Sequence, residues 1–140
     1  MKTNHIFFIL FCTAIMLLSC QNKTQTLIVK KWDCVQIENL VPLDKQFATV
    51  QDSVNAVKVE EALKSLVWTF SSNNTYTCSV GNSITVQGTY EISPDEKSLA
   101  LVPVSKNNTN AYIITVLTES ELTLTNTSTT PPIIMHFRPH

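Results

Sequence analysis

The chain has 140 residues, with 10 Lys and Arg against 11 Asp and Glu, a formal net charge of −1. That length predicts a single domain, and the charge balance offers no basic surplus to neutralise a phosphate backbone, which argues against a nucleic-acid partner. Thr, Ser and Asn are abundant while Arg occurs once, at Arg138, a composition that suits an exported β-protein with polar strand faces.

In chain order, the first element is one the folded domain leaves out. Lys2 gives a positive start, and residues 6–18 (Ile-Phe-Phe-Ile-Leu-Phe-Cys-Thr-Ala-Ile-Met-Leu-Leu) run almost without a polar side chain. This run is shorter than the roughly 20 apolar residues of a membrane span and fits the apolar core of a signal peptide. At its end, Leu17-Leu18-Ser19-Cys20 resembles the lipobox of bacterial lipoproteins: Leu at −3, a small residue at −1, then Cys. The resemblance implies that residues 1–19 are a signal peptide cut away before Cys20. It also implies that the Cys20 thiol carries a diacylglyceryl group and that the new amine is acylated, in the manner of a palmitate-bearing lipoprotein. A thiol is required because its thiolate is the nucleophile. Two or more chains, at about 0.8 kcal/mol per buried methylene, make membrane attachment stable. No Ala-x-Ala site of an ordinary secretory signal follows the apolar run, and Cys12 falls within the discarded segment.

Residues 20–26, with the polar stretch Gln-Asn-Lys-Thr-Gln-Thr after the cysteine, read as a short tether. By the same resemblance, Gln21 rather than Asp after the cysteine implies the outer membrane of a bacterial cell envelope. The lack of an acidic cluster implies its periplasmic face. Residues 27–140 then form the domain, which at this size buries roughly two thirds of its unfolded surface and needs no metal or disulfide to fold.

A first strand is expected over residues 30–37. Alternation then stops until Val67. Residues 52–66 fit one short amphipathic helix, with Ala56, Val59, Leu63 and Leu66 on one side, Lys58, Glu61 and Lys64 off it, and Asp52 or Ser53 as its cap. A strand at Val57-Lys58-Val59 is the alternative. From Trp68 the pattern has period two, broken by turn residues at short intervals. Trp68 and Phe70 precede a turn at residues 71–74. Tyr76, Cys78 and Val80 follow, and Gly81-Asn82 turns the chain again. Ile84, Val86, Gly88, Tyr90 and Ile92 make the cleanest strand. Pro94-Asp95-Glu96-Lys97 is a turn, with Pro at an early position. Residues 98–104 form a strand of ambiguous parity. Residues 111–117, Leu122 with Leu124, and residues 133–138 complete eight strands. Neighbours joined by short turns pair antiparallel, and such a meander buries its edges most simply as a closed barrel. The expected fold is therefore all-β: an eight-stranded antiparallel up-and-down barrel with one short helix between the first and second strands.

Several of these residues resemble the lipocalin-like lipoproteins of the bacterial envelope. They are Lys31-Trp32, Trp68-Thr69-Phe70, Asn74-Thr75-Tyr76, residues 88–95 (Gly-Thr-Tyr-Glu-Ile-Ser-Pro-Asp), Leu99 with Leu101, Leu122-Thr123-Leu124 and His136-Phe137-Arg138. The resemblance implies a barrel that holds a small apolar molecule, and a structural contact of Arg138 over Trp32, a cation–π pair. Lys30 stands where that family usually has Gly, a departure from the pattern.

As for chemistry, His136 is expected to face solvent or a rim and His140 to be a loose chain end. Two histidines without an acidic or Cys cluster do not make a metal site, and no cofactor is implied. Cys34 and Cys78 fall on the first and third strands, separated by nearly twice 4.8 Å, beyond the roughly 7 Å reach of a disulfide. Unpaired buried thiols are expected. No nucleophile–base pair, Gly-x-Ser-x-Gly or phosphate-cradling loop is present, and the paired carboxylates Glu60-Glu61 and Asp95-Glu96 are adjacent residues that point apart or into solvent. The expectation is not an enzyme. Trp68, Phe70, Tyr76 and Tyr90 share the apolar faces of three successive strands and are the candidate ligand-binding residues. The alternative is that these rings only fill the barrel, and that the rim loops at 105–110 and 126–132 contact another envelope protein or a glycan.

Overall fold

The structure is a computed structural model that describes residues 23–40, 54, 57–58, 61–81, 83–105 and 108–140. Eight strands form one closed barrel in sequence order: β1 (Lys31–Glu38), β2 (Leu66–Phe70), β3 (Thr75–Val80), β4 (Ser83–Ile92), β5 (Ser98–Pro103), β6 (Asn110–Leu117), β7 (Leu122–Asn126) and β8 (Ile133–Pro139). Every strand pairs antiparallel with its sequence neighbours, and β8 closes on β1 through pairs such as Asp33 with Arg138 and Cys34 with Phe137. The expected all-β meander and its closure are both present.

Alternation explains the closure. Because side chains point to opposite faces with period two, Trp32, Cys34, Trp68, Phe70, Tyr76, Cys78, Tyr90, Leu99, Leu101, Leu122, Leu124 and Phe137 all turn inward and form one buried core. The ambiguous strand β5 resolves with Leu99 and Leu101 inside, while Val102 and Val104 are exposed. Bulges between Cys34 and Gln36, between Cys78 and Ser79, and between Ile114 and Val116 add local twist.

The turns follow their chemistry. Asn74 and Gly81 adopt left-handed backbone (φ 61° and 57°), a region Gly and Asn tolerate best. The Asn73 side-chain oxygen accepts from the Thr75 hydroxyl at 2.6 Å. In the β4–β5 turn, Asp95 accepts from the Ser93 hydroxyl and the Lys97 amide. These bonds, the Ser93 one first, hold its carboxyl below the usual carboxylate range.

Two local expectations are corrected. The polar stretch expected as a tether is a helix from its third residue after Cys20: α1 (Lys23–Ile28) folds across the β1-start end of the barrel. The Thr24 hydroxyl donates to Glu96 Oε2 at 2.8 Å, and the Gln25 amide donates to both Asn74 Oδ1 and Tyr90 Oη at 2.8 Å. These partners lie 49 to 72 residues away, so the segment's own composition gave no sign of them. Between β1 and β2, residues 61–64, 57–58 and Val54 are helical, as the amphipathic reading has it. That helix ends earlier than expected, because Leu66 opens β2 and the Ser65 hydroxyl bonds back to the Ala62 carbonyl at 2.6 Å. Cys20 and the cap candidates Asp52 and Ser53 lie outside the described residues.

Candidate functional site in the barrel interior

The four candidate ligand residues all face inward and are nearly buried, but the structure divides them. Phe70, on β2, is the hub of the closed end: its ring meets Tyr90 edge-on at 5.1 Å and Tyr76 at 6.4 Å. The Tyr90 hydroxyl accepts from Gln25 and donates to the Ser71 carbonyl at 3.0 Å. Both of its roles are filled by the fold, and Tyr90 with Phe70 anchors the floor beneath α1. Burial raises the Tyr90 phenol above its ordinary range, partly offset by the Gln25 bond.

Trp68 lies against the same floor, its ring 6.1 Å from Phe70. Its ring packs on Phe137 at 5.4 Å and edge-on against Tyr112 at 5.8 Å. The two indoles differ in their hydrogen bonding. Trp32 Nε1 donates to the Ile28 carbonyl at 2.9 Å, at the end of α1. Trp68 Nε1 is buried and has no partner among the described residues. Leaving such a donor unsatisfied costs roughly 1–3 kcal/mol. Tyr76 and Tyr112 form no hydrogen bond among the described residues through their hydroxyls. Both phenols are raised by burial first. Tyr76 is raised further by the nearby Cys78, and Tyr112 by Tyr76 and Cys78. Trp68, Tyr76, Tyr112, Cys34 and Cys78 therefore share one interior region above the floor.

Tyr112 was missed in the sequence. Its strand is apolar on both faces, with Ile113 exposed and Ile114 inside, so alternation alone did not mark which side Tyr112 takes. Its pairing with Leu99 does.

Cys34 and Cys78 are free and buried, as expected from β2 lying between their strands. Burial pushes the Cys34 thiol up to about 11, with a backbone hydrogen bond at Gln36 opposing it, and raises Cys78 as well. Both thiols are protonated near neutrality. They behave as small apolar side chains.

The expected cover of Trp32 by Arg138 is corrected. Arg138 is exposed and pairs with Asp33 on the outer face, one residue on from inward-facing Phe137. Strand parity turns it away from the ring. Lys30 takes the place instead: its ammonium lies 5.2 Å from the Trp32 ring centroid and donates to the Glu119 carbonyl at 3.2 Å and its carboxylate at 3.1 Å. The residue that departs from the lipocalin pattern thus supplies the cation.

Both histidines are more tightly held than expected. His136 sits on the outer face, half-buried, in a row across three strands: Nε2 lies 2.9 Å from Glu38 Oε1 and Nδ1 lies 3.2 Å from the Thr123 hydroxyl. The Thr123 hydroxyl also donates to Glu121 Oε1 at 3.4 Å. His140 is not a loose end. Its amide donates to the Lys31 carbonyl at 3.0 Å and its Nδ1 lies 2.7 Å from Asp33 Oδ1. Among the described residues no group of three His, Cys, Asp or Glu side chains converges as a metal site would require, and no helix is long and apolar enough to cross a membrane.

Eight strands closed on themselves around one buried core define a β-barrel protein. The chain is similar in fold to the crystal structure of a DUF4847 family protein from Bacteroides vulgatus ATCC 8482, with a TM-score of 0.55 over 84% of this chain and 96% of that one. Sequence identity is 13%, so the likeness is one of fold alone. No family model matches the chain, and no curated protein matches it in sequence.

Proposed function

We propose that this protein is a lipid-anchored envelope barrel, held through Cys20 to the periplasmic face of a bacterial outer membrane, that takes up a small, largely apolar molecule in the interior region around Trp68. The observation that carries the interior reading is the buried Trp68 Nε1 without a partner, in a core whose other indole is bonded. The lining suits such a guest. Inward-facing Ile37, Leu66, Val86, Tyr112 and Ile114 are only half-buried, in contrast with the sealed floor of Trp32, Phe70, Leu99 and Phe137. The anchor is supported by the Leu17-Leu18-Ser19-Cys20 motif at the end of an apolar run. Binding rather than catalysis is the role proposed, since no nucleophile lies beside a base among the described lining residues.

Native mass spectrometry of the protein extracted from its own membrane tests both halves at once. The expected result is a chain that begins at Cys20, carries acyl groups there and retains a guest in stoichiometric amount. An unmodified Cys20 would refute the anchor, and a dry interior that takes up no apolar probe would refute the binding. A second reading has its own support: Ile84 and Val104, 62% and 77% exposed, line one surface depression with Ser105, at the start of the 105–110 loop, which suits contact with another envelope component. Loss of a cross-linked partner on replacing that loop, together with a dry interior, would favour it.

A further inference from the structure

Trp68 is only 6% exposed, yet its indole N–H meets no acceptor among the described residues. The groups around it are of one kind. The Tyr76 and Tyr112 hydroxyls have no hydrogen-bond partner among the described residues, and the edge-on Tyr112 ring lies 5.8 Å from the indole. The Cys34 and Cys78 thiols are buried and protonated near neutrality. Phe70 and Phe137 flank the indole at 6.1 and 5.4 Å, and Ile37, Leu66, Val86 and Ile114 are half-buried apolar side chains packed on the same core. Lys64, exposed on the helical segment before β2, is a cation whose charge acts on the Cys34 thiol.

This lining supplies neutral donors and no buried cation among the described residues. A carboxylate brought here would lose its hydration and receive only neutral hydrogen bonds in return, which burial penalises heavily. A carbonyl oxygen loses far less on entry and satisfies the orphan indole. We infer that the interior selects a neutral apolar molecule bearing a carbonyl oxygen, such as an ester, ketone or quinone, that accepts from Trp68 Nε1, and discriminates against free carboxylic acids. The inference rests on the interior-binding reading above and adds the chemical class of the guest.

Methyl laurate and laurate make a paired test, since they share a chain and differ in charge. The acylated protein, held in amphipol, is titrated with each while indole ¹⁵N–¹H NMR follows its two tryptophans. Methyl laurate is expected to shift the Trp68 signal downfield while the Trp32 signal, already bonded to Ile28, stays in place. It is also expected to bind roughly tenfold or more tighter than laurate. Trp68→Phe should weaken methyl laurate binding roughly five- to tenfold, the loss of one hydrogen bond. Tyr112→Phe serves as a second variant, and an unmoved Trp32 signal reports that either variant is folded. If laurate binds more tightly than its ester, or if the ester binds without moving the Trp68 signal, the inference fails and the interior-binding reading stands. If neither probe binds and the Trp68 proton shows contact with a resident water, both fail.

Discussion

Gly88→Ala tests how tightly the barrel wall is drawn. Gly88 lies opposite Pro103 in the β4–β5 pair, and a methyl group there would sit 2.0 Å from the Val102 carbonyl oxygen and 2.9 Å from the Pro103 Cα. Both obstacles are backbone, so no side chain can swing aside. Two effects oppose each other. Restricting the unfolded chain favours Ala by about 0.4–1 kcal/mol. Against this, restoring ordinary contact near 3.5 Å needs over an ångström of strand separation. Such overpacking costs roughly 1–3 kcal/mol. It also threatens the bond from the Val104 amide to the Gln87 carbonyl, now 2.9 Å, worth roughly 1 kcal/mol. The clash wins, with a net loss of about 1–3.6 kcal/mol. Urea unfolding followed by tryptophan fluorescence should show a lower midpoint at unchanged slope, and thermal unfolding a fall of roughly 4–14 °C. A variant as stable as the parent, within about 0.5 kcal/mol, would refute this account of the wall.

Tyr90→Phe should cost roughly 1–2 kcal/mol, because the Ser71 carbonyl loses its donor and Gln25 one of its acceptors. Hydrogen exchange should rise first in α1, and a uniform rise over all strands would refute the view that this hydroxyl fastens the helix. Lys30→Met keeps the aliphatic stem but removes the cation over Trp32 and the Glu119 bridge. A loss of about 0.5–1 kcal/mol is expected at low salt, and it should shrink as salt screens the charge; a salt-independent loss would indicate packing instead. The Cys34 thiol is raised from 9.0 to about 11, so on raising the pH the unfolded chain gives up this proton first. The stability that Cys34 contributes is whole below pH 9 and is lost as pH climbs toward 11. Cys34→Ala should therefore lose stability less steeply than the parent over that window, and parallel slopes in denaturation at pH 8 to 11 would refute the burial effect.

The fold was legible because its signal is local. Alternation from Trp68 through Ile92, punctuated by Asn and Gly turns, specifies strand length, facing and neighbour pairing with no distant information. The features that went unread depend on contacts far apart in sequence. Residues 23–28 are six mostly polar positions whose helix is stabilised by Asn74, Tyr90 and Glu96 on other turns and strands. Arg138 was expected over Trp32 by family likeness, but parity in β8 turns it outward, and Lys30 reaches the ring because its chain runs directly off the end of β1. The interior site was half legible. Four inward aromatics could be read from alternation, but not which of them the fold consumes. Only hydrogen-bond accounting separates Tyr90, fully occupied, from Trp68, which is not.

The Gln25 and Thr24 bonds also constrain the protein's posture. Residue 23 and His140 leave the barrel at the same pole, the helix lying across it and the last amide pinned to Lys31. Cys20 precedes Lys23 by three residues, a reach of about 10 Å even when fully extended. On the anchored reading proposed above, the membrane would hold the barrel close and by the α1 pole, leaving the β7–β8 loop at residues 127–132 on the far end.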